Sequence, residues 1–203
     1  MVNLSKILSR VEKLEPIPAV IHQVLALADD PDSPLKELVD VVEKDPAITA
    51  NLLKTVNSAH MGLPVKVDSI QQAVSMLGLQ QVVEMVLAQN LSGNLQGAQK
   101  GYGLAKGELW RQSLAVAMVA RTLASQMDLM SLPAIYTAAL LKDIGKVLLH
   151  EYVADRIETI QQRVADRGMS FVEAEKAVLG IDHSALGGII AREWGFSDHM
   201  VYM

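Results

Sequence analysis

The sequence contains no cysteine. Disulfides and thiolate zinc sites are therefore excluded, and a reducing cytosol is the expected setting. Aromatic side chains are scarce, at 4% of residues, whereas apolar residues make up 50%, so the core must be built from Leu, Val, Ile, Ala and Met. There is no basic surplus: 18 Lys and Arg stand against 23 Asp and Glu, a formal net charge of −5. Binding to nucleic acid through its phosphates needs a basic face, so nucleic acid is not an expected partner. No apolar run approaches the roughly 20 residues that span a bilayer. Met1–Arg10 is too short and too mixed for a secretory signal. A soluble, cytoplasmic protein without membrane insertion is expected, and 203 residues suffice for one large domain or two small ones.

What the chain does contain is helical periodicity. Leu4, Ile7, Leu8 and Val11 share one face, Pro16 and Pro18 end that segment, and Ala19–Asp29 repeats the pattern. Asp32-Ser33-Pro34 predicts the start of a third helix carrying Leu35, Leu38, Val39 and Val42 inward. Asp45-Pro46 predicts a fourth, with Ile48, Leu52, Leu53 and Val56. Asp68 or Ser69 caps a helix to Leu77, Gly78 interrupts it, and another runs over 79–91. No stretch alternates with period two, so the fold class is all-α. Glycines at 93, 97, 101, 103 and 107 mark a flexible connection between an N-terminal helical lobe, about 1–92, and a second lobe, about 108–203. A long helix over about 108–127 places Leu109, Val116, Ala120, Leu123 and Met127 on one stripe. Gln112 falls on that stripe and is expected to be a hydrogen-bonded core residue. Helices follow at 134–142, 147–150, 153–166, 171–179 and from His183 to Trp194, with Ser170 and Glu173 as a capping box and Asp182 as an N-cap. A further apolar segment begins just before Met203, the pattern expected of a trimmed chain.

Leu140-Leu141-Lys142-Asp143-Ile144-Gly145-Lys146 is the segment on which function turns, because a carboxylate at the end of a buried helix needs a partner. It resembles the signature of the HD phosphohydrolase superfamily, in which a His-Asp pair holds a divalent metal; here Lys142 occupies the His position. The sequences LEPIPAV at 14–20, KDPAIT at 44–49, LLKTVNSA at 52–59, GLP at 62–64, SIQQAV at 69–74 and LG at 77–78 resemble an HDOD domain, the HD-related output domain of bacterial signal transduction. The likeness runs over nearly the whole chain, with His60 and Met61 standing where that family usually carries aromatics.

The resemblance implies a site. An early His of catalytic HD enzymes matches Gln112, their His-Asp pair matches Lys142 and Asp143, and a later His matches His183. An amide is a weak metal ligand and an ammonium has no lone pair to donate, so two of the four positions lose their ligand chemistry. No metal, no cofactor and no catalytic residue are expected. Asp143 is expected to pair with Lys142 or Lys146, or to cap the Gly145 turn, and His183 to pack at a helix start. Asn57-Ser58 is expected to cap a helix end, and Gly187-Gly188 to permit close helix packing. His22, His60, His150 and His199 show no ligand spacing, and Lys100, Lys106 and Arg111 form a sparse, solvated basic patch. The implied function is a non-catalytic regulatory module with other signalling proteins as partners. Two alternatives are a metal-dependent phosphohydrolase and a protein that binds a phosphorylated ligand through Lys142 or Lys146.

Overall fold

The computed structural model describes residues 4–201 apart from Glu15, Pro31 and Met130. Every named element among them is helical, as the absence of period-two alternation predicts. The apolar segment at the end of the chain lies partly outside the described residues. The helices are α1 (Leu4–Leu8), α2 (Ala19–Asp29), α3 (Leu35–Glu43), α4 (Pro46–Val56), α5 (Ile70–Leu77), α6 (Leu79–Leu95), α7 (Glu108–Gln126), α8 (Leu132–Leu141), α9 (Lys146–Ala154), α10 (Ile157–Arg167), α11 (Phe171–Leu179), α12 (His183–Glu193) and α13 (Asp198–Val201).

The chain forms two compact units, and neither is continuous in sequence. One comprises Met1–Pro16, Gly93–Ala117 and Ala138–Met203; the other comprises Ile17–Ser92 and Met118–Thr137. This corrects the division into lobes at 1–92 and 108–203. Residues 1–16 join the C-terminal unit, 118–137 join the other, and three boundaries fall inside α6, α7 and α8. A helix satisfies its own backbone hydrogen bonds, so nothing in local sequence marks where it passes from one core to another.

In the unit of Ile17–Ser92 and Met118–Thr137, Val24, Leu38, Val42, Leu52, Val56, Ile70, Val82 and Val86 are buried and supply an aliphatic core. Asp45 caps α4, accepting from the Ala47 and Ile48 amides at 2.9 and 3.0 Å. Ser69, not Asp68, caps α5, accepting from Gln72 N at 3.1 Å. The third start signal works differently from expectation: Pro34 precedes α3 and no side chain caps it. Asn57 does more than end α4. Its side chain exchanges two hydrogen bonds with the Val67 backbone, at 2.7 and 2.8 Å, and donates to Leu53 O at 2.9 Å, so it ties the 58–68 loop to the helix.

In the other unit the glycine-rich stretch is a packed segment rather than a flexible connection. The helix α6 runs to Leu95, Gln99 and Leu104 pair as an isolated bridge, and Lys100–Tyr102 form a 3₁₀ turn seated on α9. Gly101 is buried there because a Cβ would lie 2.0 Å from His150 O and 2.7 Å from Ala154 N. Composition alone cannot distinguish a glycine that frees the chain from one that admits a neighbour. The capping box of Ser170 and Glu173 forms at the start of α11, and Asp182 caps α12 by accepting from Ala185 N at 2.8 Å.

Candidate functional site

The site is built where α8 ends. Leu140 and Leu141 are buried, then Ile144 N donates to Leu141 O at 2.9 Å and Lys146 N to Asp143 O at 3.0 Å, a tight turn leading directly into α9. Gly145 makes that turn possible through room rather than backbone conformation. Its φ is −59°, but a Cβ would lie 2.0 Å from His183 O. Gly187 and Gly188, expected to permit close packing of α12, both leave ordinary van der Waals space, with Ile144 Cγ2 3.5 Å and Val201 Cγ1 3.4 Å from an added Cβ. Gly145 is the tight position.

This approach brings His183, at the start of α12, against the α8–α9 turn. Asp143 is 6% exposed, and both its oxygens meet ammonium groups: Lys142 Nζ lies 2.5 Å from Oδ2 and Lys146 Nζ 3.0 Å from Oδ1. His183 Nε2 stands 3.5 Å from Oδ1. Burial alone would raise the Asp143 pKa, but the hydrogen bonds and charges of Lys142 and Lys146 prevail and hold it below the ordinary carboxylate range. The two lysines are not equivalent, since the Lys142 side chain is 47% exposed and that of Lys146 only 17%.

Sequence reasoning did not single out Glu175 or Tyr102, yet they organise the other side of His183. Glu175 is fully buried in α11. It accepts from His183 N at 2.9 Å and faces His183 Nδ1 at 2.6 Å, while the Tyr102 hydroxyl donates to its other oxygen. Burial, then the neighbouring Glu175 carboxylate, push the Tyr102 phenol well above its ordinary pKa, so it serves as a donor at any physiological pH. The Tyr102 ring meets His183 edge-on with centroids 5.8 Å apart, and Lys146 Nζ sits 5.6 Å from its centre. A signal for Glu175 did exist: it interrupts the inward stripe Phe171, Ala174 and Val178 of α11, where a carboxylate has no place unless it is paired.

Beside this network lies a cavity of about 600 Å³, lined by Lys100, Tyr102, Gln112, Lys146, Phe171 and His183 among others. Gln112 therefore shares a cavity with His183, but it is an exposed wall residue and not the buried core residue expected. The reason is the orientation of α7. Ser113, Ala117 and Ala124 face inward, about a quarter turn from the stripe of larger residues that pattern alone selects. Lys142 opens instead toward a separate cavity of about 190 Å³ with Ser184, Gly187 and Phe196. Lys100 joins the larger cavity wall, while Lys106 and Arg111 are exposed as expected. Among the described residues no group of three or more His, Asp or Glu side chains is arranged to hold a metal ion.

Comparison with known proteins places this geometry in context. The model of the HDOD domain family matches residues 14–203. A crystal structure of a "Putative phosphohydrolase" from Shewanella amazonensis SB2B superposes with a TM-score of 0.68 at 28% identity, covering 97% of this chain and 69% of that one. A "Putative signal transduction protein" from Marinobacter aquaeolei VT8 superposes with a TM-score of 0.71 at 24% identity, covering 94% of this chain and 43% of that one. An uncharacterized protein of Treponema pallidum (strain Nichols) is 22% identical over 198 residues, which are 97% of this chain but 38% of that protein. The chain thus spans well under half the length of that curated relative. No helix among the described residues is long and apolar enough to cross a membrane.

Proposed function

Because this chain belongs to the HDOD domain family, we propose that it is a non-catalytic regulatory module of signal transduction, acting through contacts with other proteins. The observation that carries this reading is the state of Asp143, whose two oxygens are both taken by lysine ammonium groups. Hydrolysis by an HD-type centre depends on a cation that generates hydroxide from bound water. A cation there would have to displace Lys142 and Lys146 against their charge. Gln112 and Lys142 contribute no good ligand in place of the missing histidines, which leaves Asp143 and His183 as the two good ligand types among the four positions. The donor set does not fit a divalent metal, and no catalytic step is assigned to it.

Titration of Mn²⁺ into the purified chain tests the reading by calorimetry. No saturable one-to-one binding is expected. One-to-one binding that Asp143→Ala abolishes would contradict it.

A second reading is favoured by one observation. The wall of the 600 Å³ cavity includes Lys100, Lys146 and His183 and no Asp or Glu, on a chain whose net charge is −5. A cavity of this size suits a small organic ligand, and lysine serves as a point-charge partner for phosphate. A regulatory module could take a phosphorylated ligand there, with Lys146 rather than Lys142 as its contact. Titration with phosphorylated metabolites, repeated on Lys146→Met, separates this reading from a module without a ligand.

A further inference from the structure

The described residues expose ten large hydrophobic side chains, and six of them fall between Val116 and Leu129. The others are scattered singly, as on any surface; these are concentrated on α7 and the turn after it. Between residues 118 and 127 this helix is inverted relative to an ordinary amphipathic helix. It buries Ala124 and exposes Met118 at 51%, Val119 at 59%, Leu123 at 54% and Met127 at 68%, with Leu129 at 47% just beyond. Thr122, Ser125 and Gln126 complete the exposed arc of the helix, and Asp128, exposed between Met127 and Leu129, places one formal charge at the end of the patch. Within the helix itself the one charged residue of the stretch, Arg121, is turned to Glu84 at 2.9 Å.

We infer that this face of α7 is a self-association surface, on which a second copy of the chain packs its own α7 about a two-fold axis. Area supports the size of the contact. At roughly 150–190 Å² for a fully exposed Val, Leu or Met, the five large side chains leave on the order of 500 Å² in water, at the upper end of the largest patch on a typical monomer. A standard interface takes about 800 Å² from each partner, and about 65% of a homodimer interface is apolar, which is again on the order of 500 Å².

Charge supports the choice of partner. A surface whose single charge, Asp128, sits at one end offers little to select a foreign protein or to steer its approach. When two identical faces meet antiparallel about Leu123, the two Asp128 carboxylates fall at opposite ends of the seam and are not set against each other, the condition for an isologous dimer. In an antiparallel pair centred on Leu123, Val119 of one copy meets Met127 of the other, four residues on each side of the axis. The small Ala120 and Thr122 flank the seam on its two sides and allow close approach.

The test is sedimentation equilibrium of the chain between about 1 and 200 μM, for wild type, Leu123→Glu, Leu123→Lys and the control Val65→Glu. Val65 is 55% exposed in a loop far from α7 in sequence, and both positions tolerate charge because they face water. Wild type and V65E should dimerise alike. L123E and L123K alone should each raise the dissociation constant about 100-fold or more by placing like charges across the axis, and their equimolar mixture should recover dimers. A wild type that stays monomeric throughout the range overturns the inference, as does a dimer that L123E leaves intact or a mixture that does not re-associate. Circular dichroism confirms that each variant is folded.

Discussion

Removing the two lysines at Asp143 one at a time and then together gives a series whose outcome the geometry dictates. Lys→Met keeps most of the aliphatic stem and deletes the charge, so packing changes little. Lys142 is 47% exposed, and solvent screens its bond to Asp143; its loss should cost about 0–1 kcal/mol. Lys146 is 17% exposed and lies against the Tyr102 ring as well. Its loss should cost about 2 kcal/mol, below the full cost of breaking a buried pair because Lys142 still compensates the carboxylate. Together the changes leave a buried carboxylate without a cation, at about 3–5 kcal/mol. The double variant should therefore lose more than the sum of the singles, as expected for groups sharing one partner.

The pH dependence carries the sign. In the native protein the Asp143 pKa is depressed, so its contribution is present above the ordinary value of about 3.9 and is lost as pH falls through the folded value. In the double variant burial acts unopposed and raises that pKa, so the deficit is full at pH 7 and shrinks toward pH 4 as the carboxyl takes up its proton. Urea denaturation of the four proteins at pH 4, 5.5 and 7 measures this. A deficit that does not change with pH, or a larger loss from K142M than from K146M, would refute the reasoning.

Four further substitutions are predicted from single contacts. Tyr102→Phe removes the donor to a fully buried Glu175 oxygen and should cost about 1–3 kcal/mol in thermal unfolding; an unchanged melting temperature would show that the hydroxyl is dispensable. Asn57→Ala releases the Val67 backbone and should cost about 1–3 kcal/mol, with faster amide exchange at Val67 as the local readout. Gly101→Ala forces a methyl to 2.0 Å from His150 O and should cost about 1–3 kcal/mol or more, whereas Gly97→Ala, whose nearest neighbour is a flexible Gln99 side chain at 3.5 Å, should cost under about 0.5 kcal/mol.

Helix identity was legible in the sequence because it rests on local signals: Asp45-Pro46, the Ser170–Glu173 box and Asp182 act within one turn of the chain. The pairing of Asp143 with lysines was legible for the same reason, since Lys142 and Lys146 are neighbours along the chain. The orientation of α7 was not, because large residues predict an inward face only where a single surface is buried. This helix packs through Ser113, Ala117 and Ala124 and turns Leu123 and Met127 outward. The packing of Gly101 and Gly145 was equally hidden, since the atoms that crowd them come from His150, 49 residues away from Gly101, and His183, 38 residues away from Gly145. Glu175 left a trace as a carboxylate in an apolar stripe, but its partners Tyr102 and His183 come from distant segments that only the fold unites.

The central claim, that Asp143 serves an ion-paired structural core rather than a hydrolytic metal centre, is tested most directly by turnover. Phosphomonoester and phosphodiester hydrolysis should be measured for the chain and for Asp143→Ala, each incubated with Mn²⁺, Fe²⁺, Ni²⁺ or Mg²⁺ and then assayed for bound metal. The account predicts background rates that are equal in the two proteins and less than one equivalent of metal per chain. Metal-dependent turnover in the wild type, lost together with stoichiometric metal in the folded Asp143→Ala variant, would contradict it.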